Sequence, residues 1–294
     1  MIPRRRFLAL SACAAVLARP AVAAAPHHRW SGQALGADVA LTVAGGAERQ
    51  ARAFFAEAAR ALRAIEAQFS LFRGSDLMRL NALGHLPHPS DDMRDLLTLA
   101  GRVHAATGGA FDPTVQPLWQ ARRLGGDETA ARALAGWGDV ALRDDEIRLR
   151  RPGMALTLNG IAQGLAADRL AEVAARHGLS DLLIDAGELR AVGPTGWTAR
   201  IEEPGGDAAA RLVLSDRALA TSAPLGTRIG PRGDQPHILA ADGRPAQWRL
   251  ASVSAPTAAV ADALSTAAVL MDRPAIDRAL AQFPGARVEA LLPL

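Results

Sequence analysis

The sequence predicts an α+β fold in which mixed β-sheets pack against helices, and three observations predict it. Segments of helical apolar periodicity alternate with short strand-like runs, but without the strict strand–helix–strand rhythm of a parallel sheet. After residue 30 no internal repeat, low-complexity linker or long charge run divides the chain, so residues 30–294 read as one domain. The 294 residues are 49% hydrophobic and 21% charged, ordinary values for a chain that buries a core.

The first 23 residues stand apart from that fold. A basic start, MIPRRRF, leads into the apolar run FLALSACAAVLA (7–18) and then the small residues AVAAA (21–25), the pattern of an export signal. The apolar run is shorter than the roughly 20 residues that cross a bilayer. Ala21 and Ala23 set a cleavage point after Ala23, and the arginine cluster before Phe7 and Leu8 suggests the twin-arginine route. A second reading takes LSAC (10–13) as a lipidation site, with Cys13 as the anchored first residue of the mature protein. Under either reading the protein works outside the cytoplasm.

In the body, Asp38 to Val43 reads as a strand. Ala47 to Gln68 reads as a helix, with Phe54, Phe55, Ala58, Leu62, Ile65 and Phe69 on one stripe. A second helix runs from Asp91 to Thr107 and stops at Gly108-Gly109. After a loop rich in Gly, Pro and Trp, Ala155 to Leu158 is strand-like, and Asn159 is placed to cap a helix that runs to His177 and closes at Gly178. Strands follow at 182–184 and 189–192 around a turn at Gly187, then near 196–202, 211–215, 218–222 and 248–254. A last helix covers Thr257 to Met271.

The sequence pI of about 10.5 invites a nucleic-acid function. The leader accounts for it. Arg4, Arg5, Arg6 and Arg19 meet no acid before residue 24 and exceed the chain's whole formal charge of +3, which leaves the body at about −1. A near-neutral body without a basic, aromatic-studded patch lacks the electrostatic footprint of a nucleic-acid binder. All 33 basic residues are arginine, which together with the abundant alanine points to a compositional bias rather than a functional demand.

Four segments carry residue types that do chemistry. TLNGIAQG (157–164) opens a helix with a glycine turn, and the unpaired N–H groups of such a helix start attract phosphate, although most such turns are only turns. ADALST (261–266) places Asp262, Ser265 and Thr266 at i, i+3 and i+4, one carboxylate and two hydroxyls of the hard-oxygen type that suits Mg²⁺. By spacing alone this is also the polar face of a surface helix. TGGAFDPTV (107–115) sets Asp112 before a proline, in extended or turn backbone. His237 lies in PHILAADG (236–243), and a lone histidine is more often packed than catalytic.

Their order is more specific than any of them. FSLFRGSDLMRLN (69–81), TGGAFDPTVQPL (107–118), LNGIAQGLAADRL (158–170), LLIDAGELRAVG (182–193), ATS (220–222), HI (237–238) and SVSAPTAAVADALSTAAVL (252–270) follow one another along the chain. The succession resembles the ApbE family of flavin transferases, from GQALG (32–36) to the last helix. The resemblance implies a T-fold-type architecture and a Mg²⁺-dependent reaction with FAD as substrate. FMN passes to a Thr or Ser hydroxyl of a periplasmic or membrane-bound redox protein, such as a membrane-associated electron-transfer subunit, and AMP leaves. Carried over by position, Asp262, Ser265, Thr266 and the backbone of Gly160 match the metal site. Leu35, Phe72, Ala110, Phe111, Asp112, Thr157, Gln163 and Leu239 match FAD contacts, and His237 matches a histidine needed for transfer.

Some positions depart from the common pattern. Gln163 stands where a lysine is frequent and Thr157 where an aspartate is frequent. AGE (186–188) replaces a GGD turn, and ILAADGRP (238–245) replaces a longer one. These departures keep flavin binding without transfer in view, and hydrolysis of FAD to FMN and AMP stays open because it needs the same Mg²⁺ and FAD contacts.

Overall fold

The computed structural model describes residues 27–72 and 74–294, so the export signal and Cys13 lie outside the described residues. Strand β1 (His27–Ala34), which the sequence reading lacked, turns through Leu35 and Gly36 into β2 (Ala37–Ala44). Both turn residues are left-handed, with φ of 49° and 78°, as a two-residue hairpin turn requires if its twist is to match the strands. For a leucine this backbone is strained, and a hydrogen bond from its N–H to Glu66 Oε1 (3.2 Å) helps to hold it. Glu66 belongs to α1 (Glu48–Phe69), which buries Ala51, Phe54, Ala58, Leu62, Ile65 and Phe69. Phe55, expected on that stripe, sits at its margin and is half-buried.

A short helix that the sequence reading missed, α2 (Asp76–Leu83), begins where Ser75 accepts the Met78 N–H and ends at the left-handed Gly84. After β3 (His85–Pro87), helix α3 (Asp91–Ala106) stops just before Gly108-Gly109, as expected. The loop rich in Gly, Pro and Trp holds α4 (Gln116–Leu124), α5 (Glu128–Arg132), β4 (Val140–Leu142) and β5 (Glu146–Leu149). The last two join β3 in a three-stranded sheet.

Helix α6 (Ala162–Arg176) then leads into β6 (Leu182–Asp185), β7 (Leu189–Val192), β8 (Trp197–Glu202), β9 (Ala208–Leu214) and β10 (Ala218–Ser222). The short strands β11 (Arg228–Ile229) and β12 (Gln235–Pro236) pair with each other. Strand β13 (Trp248–Ala255), helices α7 (Ala258–Ala268) and α8 (Arg273–Leu280), and β14 (Arg287–Pro293) complete the chain. Seven strands form the main sheet in the order β1-β2-β6-β7-β10-β13-β14.

Side chains alternate across that sheet with the period of two that strands impose. Leu182 and Ile184 join the large core under the helices, while Leu183 between them joins a second core under the β8–β9 hairpin. Trp197, Ile201 and Leu214 of the hairpin fill that second core. Helices α1, α6 and α7 therefore occupy one face and the hairpin the other, a layered α+β arrangement.

Three local expectations need correction. The described strand pairings are all antiparallel, so helices and strands are mixed but strand directions are not. Residues 155–158 are extended without being a strand. Instead of a neighbouring strand, the side-chain amide of Asn81 takes both backbone groups of Leu156, at 2.7 and 2.8 Å. Helix α6 starts at Ala162, not after Asn159, because Asn159 and Gly160 form a turn that carries the chain across α7 first.

Candidate active site

A cleft opens between the start of α6 and the face of α7 that carries Asp262 and Thr266. The sequence-named residues reach it from five separated stretches of chain. The 107–115 turn contributes Ala110, Phe111 and Asp112, and the approach to α6 contributes Thr157, Gly160 and Gln163. Asp262 and Thr266 come from α7, His237 and Leu239 from the loop before β13, and Phe72 from the end of α1. Of the residues named from sequence, two lie elsewhere. Leu35 lines a small adjoining hollow that shares Phe72, Asn159 and Gln163 with the cleft. Ser265 lies behind the cleft wall.

Helix α7 sorts its three polar residues by direction. Asp262 and Thr266, four apart, share the face toward the cleft. Ser265 is fully buried: its hydroxyl donates to the Asp262 carbonyl at 3.0 Å and lies 2.8 Å from Ser222 Oγ of β10. With both neighbours satisfied it is a packing contact between helix and sheet, not a group facing a ligand. Opposite Thr266, the Gly160 backbone is so close that a Cβ there would meet Thr266 Oγ1 at 2.9 Å. The Gly164 N–H donates to Asp262 Oδ2 at 3.2 Å, tying the first turn of α6 to the same carboxylate.

The charges of the cleft are one-sided. Asp112, Glu188 and Asp262 line it, and among the described residues no arginine does. The Asp112 carboxylate is occupied, accepting the N–H (2.8 Å) and hydroxyl (2.6 Å) of Thr114 at the start of a 3₁₀ turn. Asp262 and Glu188 are both buried. Burial pushes Asp262 up to about 8, with the Asp168 charge adding to it. Burial also raises Glu188 well above its ordinary value, helped by Asp262 and Asp185. Two desolvated carboxyls without a neighbouring cation are what a hard divalent ion relieves. Among the described residues no three His, Cys, Asp or Glu side chains converge as a protein-only cage. The donor set of one carboxylate, one hydroxyl and nearby backbone oxygens fits Mg²⁺, which keeps waters and takes ligand oxygens. It does not fit a thiolate- or imidazole-bound metal.

Gln163 is 3% exposed, and its Nε2 is without a hydrogen-bond partner among the described residues. Such an orphan donor is costly unless something bonds to it. Gly187 packs directly on this amide, since a Cβ there would stand 2.8 Å from Gln163 Cδ. That contact explains the glycine of the AGE turn and puts Glu188 into the cleft wall. Glu188 was legible only as an acid in a turn; Asn159 and Ser222, which also line the cleft, stood inside quoted motifs without being named as site residues, and Trp119 carried no signal.

His237 has a defined tautomer. Its Nδ1 lies 3.0 Å from two carbonyl oxygens, those of Pro224 and Thr227. Carbonyls only accept, so Nδ1 carries the proton and Nε2 is left with its lone pair. Burial holds the ring below its ordinary value, which keeps it neutral. The loop that follows is clamped from two sides. Arg132 of α5 donates to the carbonyls of Ala240 (3.1 Å) and Ala241 (2.9 Å), and Arg244 donates to that of Gly108 (3.1 Å). The shortened 238–245 turn is thus ordered by arginines, and one of them joins it to the 107–112 segment.

Solved ApbE proteins share this fold. The flavin transferase ApbE of Vibrio cholerae superposes with a TM-score of 0.75 at 23% identity, over 90% of this chain and 94% of that one. The ApbE protein of Thermotoga maritima gives 0.78 at 23%, over 91% and 97%. The ApbE family model matches residues 35–292, and the chain belongs to that family. Among curated relatives, the FAD:protein FMN transferase of Klebsiella pneumoniae is 29% identical over 270 residues, 82% of this chain and 77% of the relative. The enzyme of the same name from Escherichia coli is 28% identical over 228 residues, 68% and 65%.

Proposed function

We propose that the chain is an FAD:protein FMN transferase that acts outside the cytoplasm and depends on Mg²⁺. The observation that carries this reading is the pairing, in one cleft, of an oxygen-rich, cation-poor face on α7 with a neutral histidine whose Nε2 can accept a proton. A dinucleotide's diphosphate brings negative charge into a cleft already lined by acids. No arginine among the described residues lines the cleft, and a divalent cation would neutralise that charge. Asp262, Thr266 and Gly160 would hold the ion, which when bound neutralises the diphosphate and the departing phosphate. The orphan amide of Gln163 offers an N–H to an anionic oxygen.

In the reaction, a Thr or Ser hydroxyl of the acceptor protein attacks the phosphorus on the FMN side of FAD. A new oxygen–phosphorus bond forms, the bond to the AMP phosphate breaks, and the hydroxyl proton passes to His237 Nε2. The products are a phosphoester-linked flavin and AMP, with no covalent enzyme intermediate. Catalysis of this kind rests on positioning and charge neutralisation. The export signal directs the enzyme to the compartment where periplasmic or membrane-bound redox subunits present their hydroxyls.

The test incubates the protein with FAD, Mg²⁺ and a protein that carries a threonine flavinylation motif, and reads the acceptor by intact mass spectrometry. A gain of one FMN that EDTA prevents is the expected result. Free FMN and AMP with an unmodified acceptor would show a hydrolase instead. Intact FAD bound without turnover, including with the natural acceptor, would show a flavin-binding protein.

A further inference from the structure

Helix α7 lacks a cap of its own. Thr257 occupies the N-cap position, but its side chain makes no capping bond. The first N–H groups of a helix need acceptors, and here they are supplied by another helix. The two carboxylate oxygens of Asp168, on α6, accept the N–H groups of Ala258 (2.8 Å) and Ala259 (2.9 Å). Arg190 of β7 stands 3.7 Å from the same carboxylate and balances its charge.

One turn earlier on α6, Gly164 makes two more contacts with the same stretch of α7. Its N–H reaches Asp262, and its Cα is so close to the Ala258 carbonyl that a Cβ would lie 2.4 Å from the oxygen. Residues 164 and 168 therefore grip the beginning of α7 at successive turns. Gln163 and the turn residue Gly160 lie immediately before this grip, while Asp262 takes part in it and Thr266 lies one turn beyond on α7. A cap from a helix's own N-cap residue stabilises that helix wherever it lies. A cap from a neighbouring helix also fixes where it lies.

We infer that Asp168 is a positioning residue: it sets the α7 face, and with it the spacing between Gly160 and the Asp262–Thr266 pair. The inference rests on the reading of that face as the one that holds the divalent cation. Loss of the Asp168 carboxylate frees the first turn of α7, and the cation loses a preformed pair of ligands.

The test compares Asp168→Ala with Asp272→Ala. Asp272 caps α8 from its own N-cap position, bonding the Ala275 N–H at 2.8 Å, and that helix contributes nothing to the cleft. Mn²⁺ binding in the presence of FAD is followed by electron paramagnetic resonance, alongside thermal melts of each variant. Asp168→Ala should weaken Mn²⁺ binding about ten- to a hundredfold, the usual effect of removing an outer-shell support, while Asp272→Ala leaves it unchanged despite a lower melting temperature. Equal Mn²⁺ affinity in the two variants would overturn the positioning role and leave the metal face standing. Absence of Mn²⁺ binding by the unmodified protein would overturn the metal face, and the positioning role with it. Should Asp168→Ala fail to fold, Asp168→Asn, which keeps one acceptor oxygen, is measured in its place against the same control.

Discussion

The Gly160 backbone lies against the Thr266 side chain so closely that a Cβ on the glycine would stand 2.9 Å from Oγ1 and 3.1 Å from Cγ2. The two residues are more than a hundred positions apart and sit on segments of unrelated character, a turn and the last turn of a helix. Their contact closes the floor of the cleft at the point where a cation would take oxygen from both.

That contact predicts a specific sensitivity at Gly160. Its φ is not in the left-handed region, so alanine fits the backbone and only space decides the outcome. The added methyl must push Thr266 aside, an overpacking that costs about 1–3 kcal/mol of stability. Displacement of a site group by about an ångström can cost roughly a hundredfold in rate. Gly160→Ala should therefore melt only a few degrees lower yet transfer FMN at least about tenfold more slowly. Wild-type kinetics in a folded Gly160→Ala protein would remove this contact from the site.

Asp262 predicts a trade between stability and activity. It is a buried carboxyl supported by a single backbone donor, the Gly164 N–H, with a second buried carboxyl, Glu188, lining the same cleft. Asparagine keeps the shape and the acceptor but removes the charge, and a buried charge without a partner is costly. Asp262→Asn should melt at or above the wild-type temperature in metal-free buffer while losing transfer almost completely. A destabilised but active variant would contradict both halves of this reading. The pattern is common where function demands a group that the fold would rather lose.

The legible and the illegible parts of this site differ for physical reasons. A backbone that packs closely on a distant side chain, as Gly160 does on Thr266, leaves a glycine in the sequence, and eleven of the residues named from motif order line one cleft. Direction on a helix is less visible. Positions i+3 and i+4 both lie near the face of Asp262, and spacing cannot say that Ser222, 43 residues away, lies 2.8 Å from the buried Ser265 and 3.4 Å from Thr266, which stays on the cleft. The segment 155–158 failed in the same way. Its residues suit a strand, but its partner is the Asn81 side chain. Asp168 carried no mark at all, because a carboxylate inside an amphipathic helix looks solvated until a second helix end is found beneath it.

The tautomer of His237 predicts the pH dependence of transfer. With Nδ1–H committed to two carbonyls, a second proton would go on Nε2 and remove the proton acceptor. Burial lowers the ring's pKa below its ordinary 6.5, so the active neutral form persists to mildly acid pH. The rate should be level near neutrality and fall only as pH drops through that depressed value. His237→Gln, which preserves a polar side chain but cannot take the proton, should lose this acid limb together with most of the rate. An acid limb that survives in His237→Gln would assign the titration to another group. Folding linkage has the same sign: the unfolded ring binds a proton more readily, so stability from this residue is present above 6.5 and is lost as pH falls through the folded value.

Asp185 predicts a gain in stability away from the cleft. At the end of β6 it is largely buried, accepts one N–H from Gly187 at 3.3 Å, and faces the charge of Asp38. Burial first, and Asp38 second, push it up to about 6 from 3.8. The folded state thus holds this proton more tightly than the unfolded one. Its favourable contribution is complete below 3.8, declines as pH rises, and is gone above about 6. At pH 8 the protein carries a desolvated carboxylate that asparagine would replace with a neutral acceptor for the same Gly187 N–H. A shift of that size corresponds to as much as about 3 kcal/mol. In urea melts Asp185→Asn should be more stable than the wild type at pH 8 and close to it near pH 4. An equal gain at both values would mean that packing, not charge, separates the two side chains. A loss at pH 8 would mean that the Asp185 carboxylate has a cationic partner in solution.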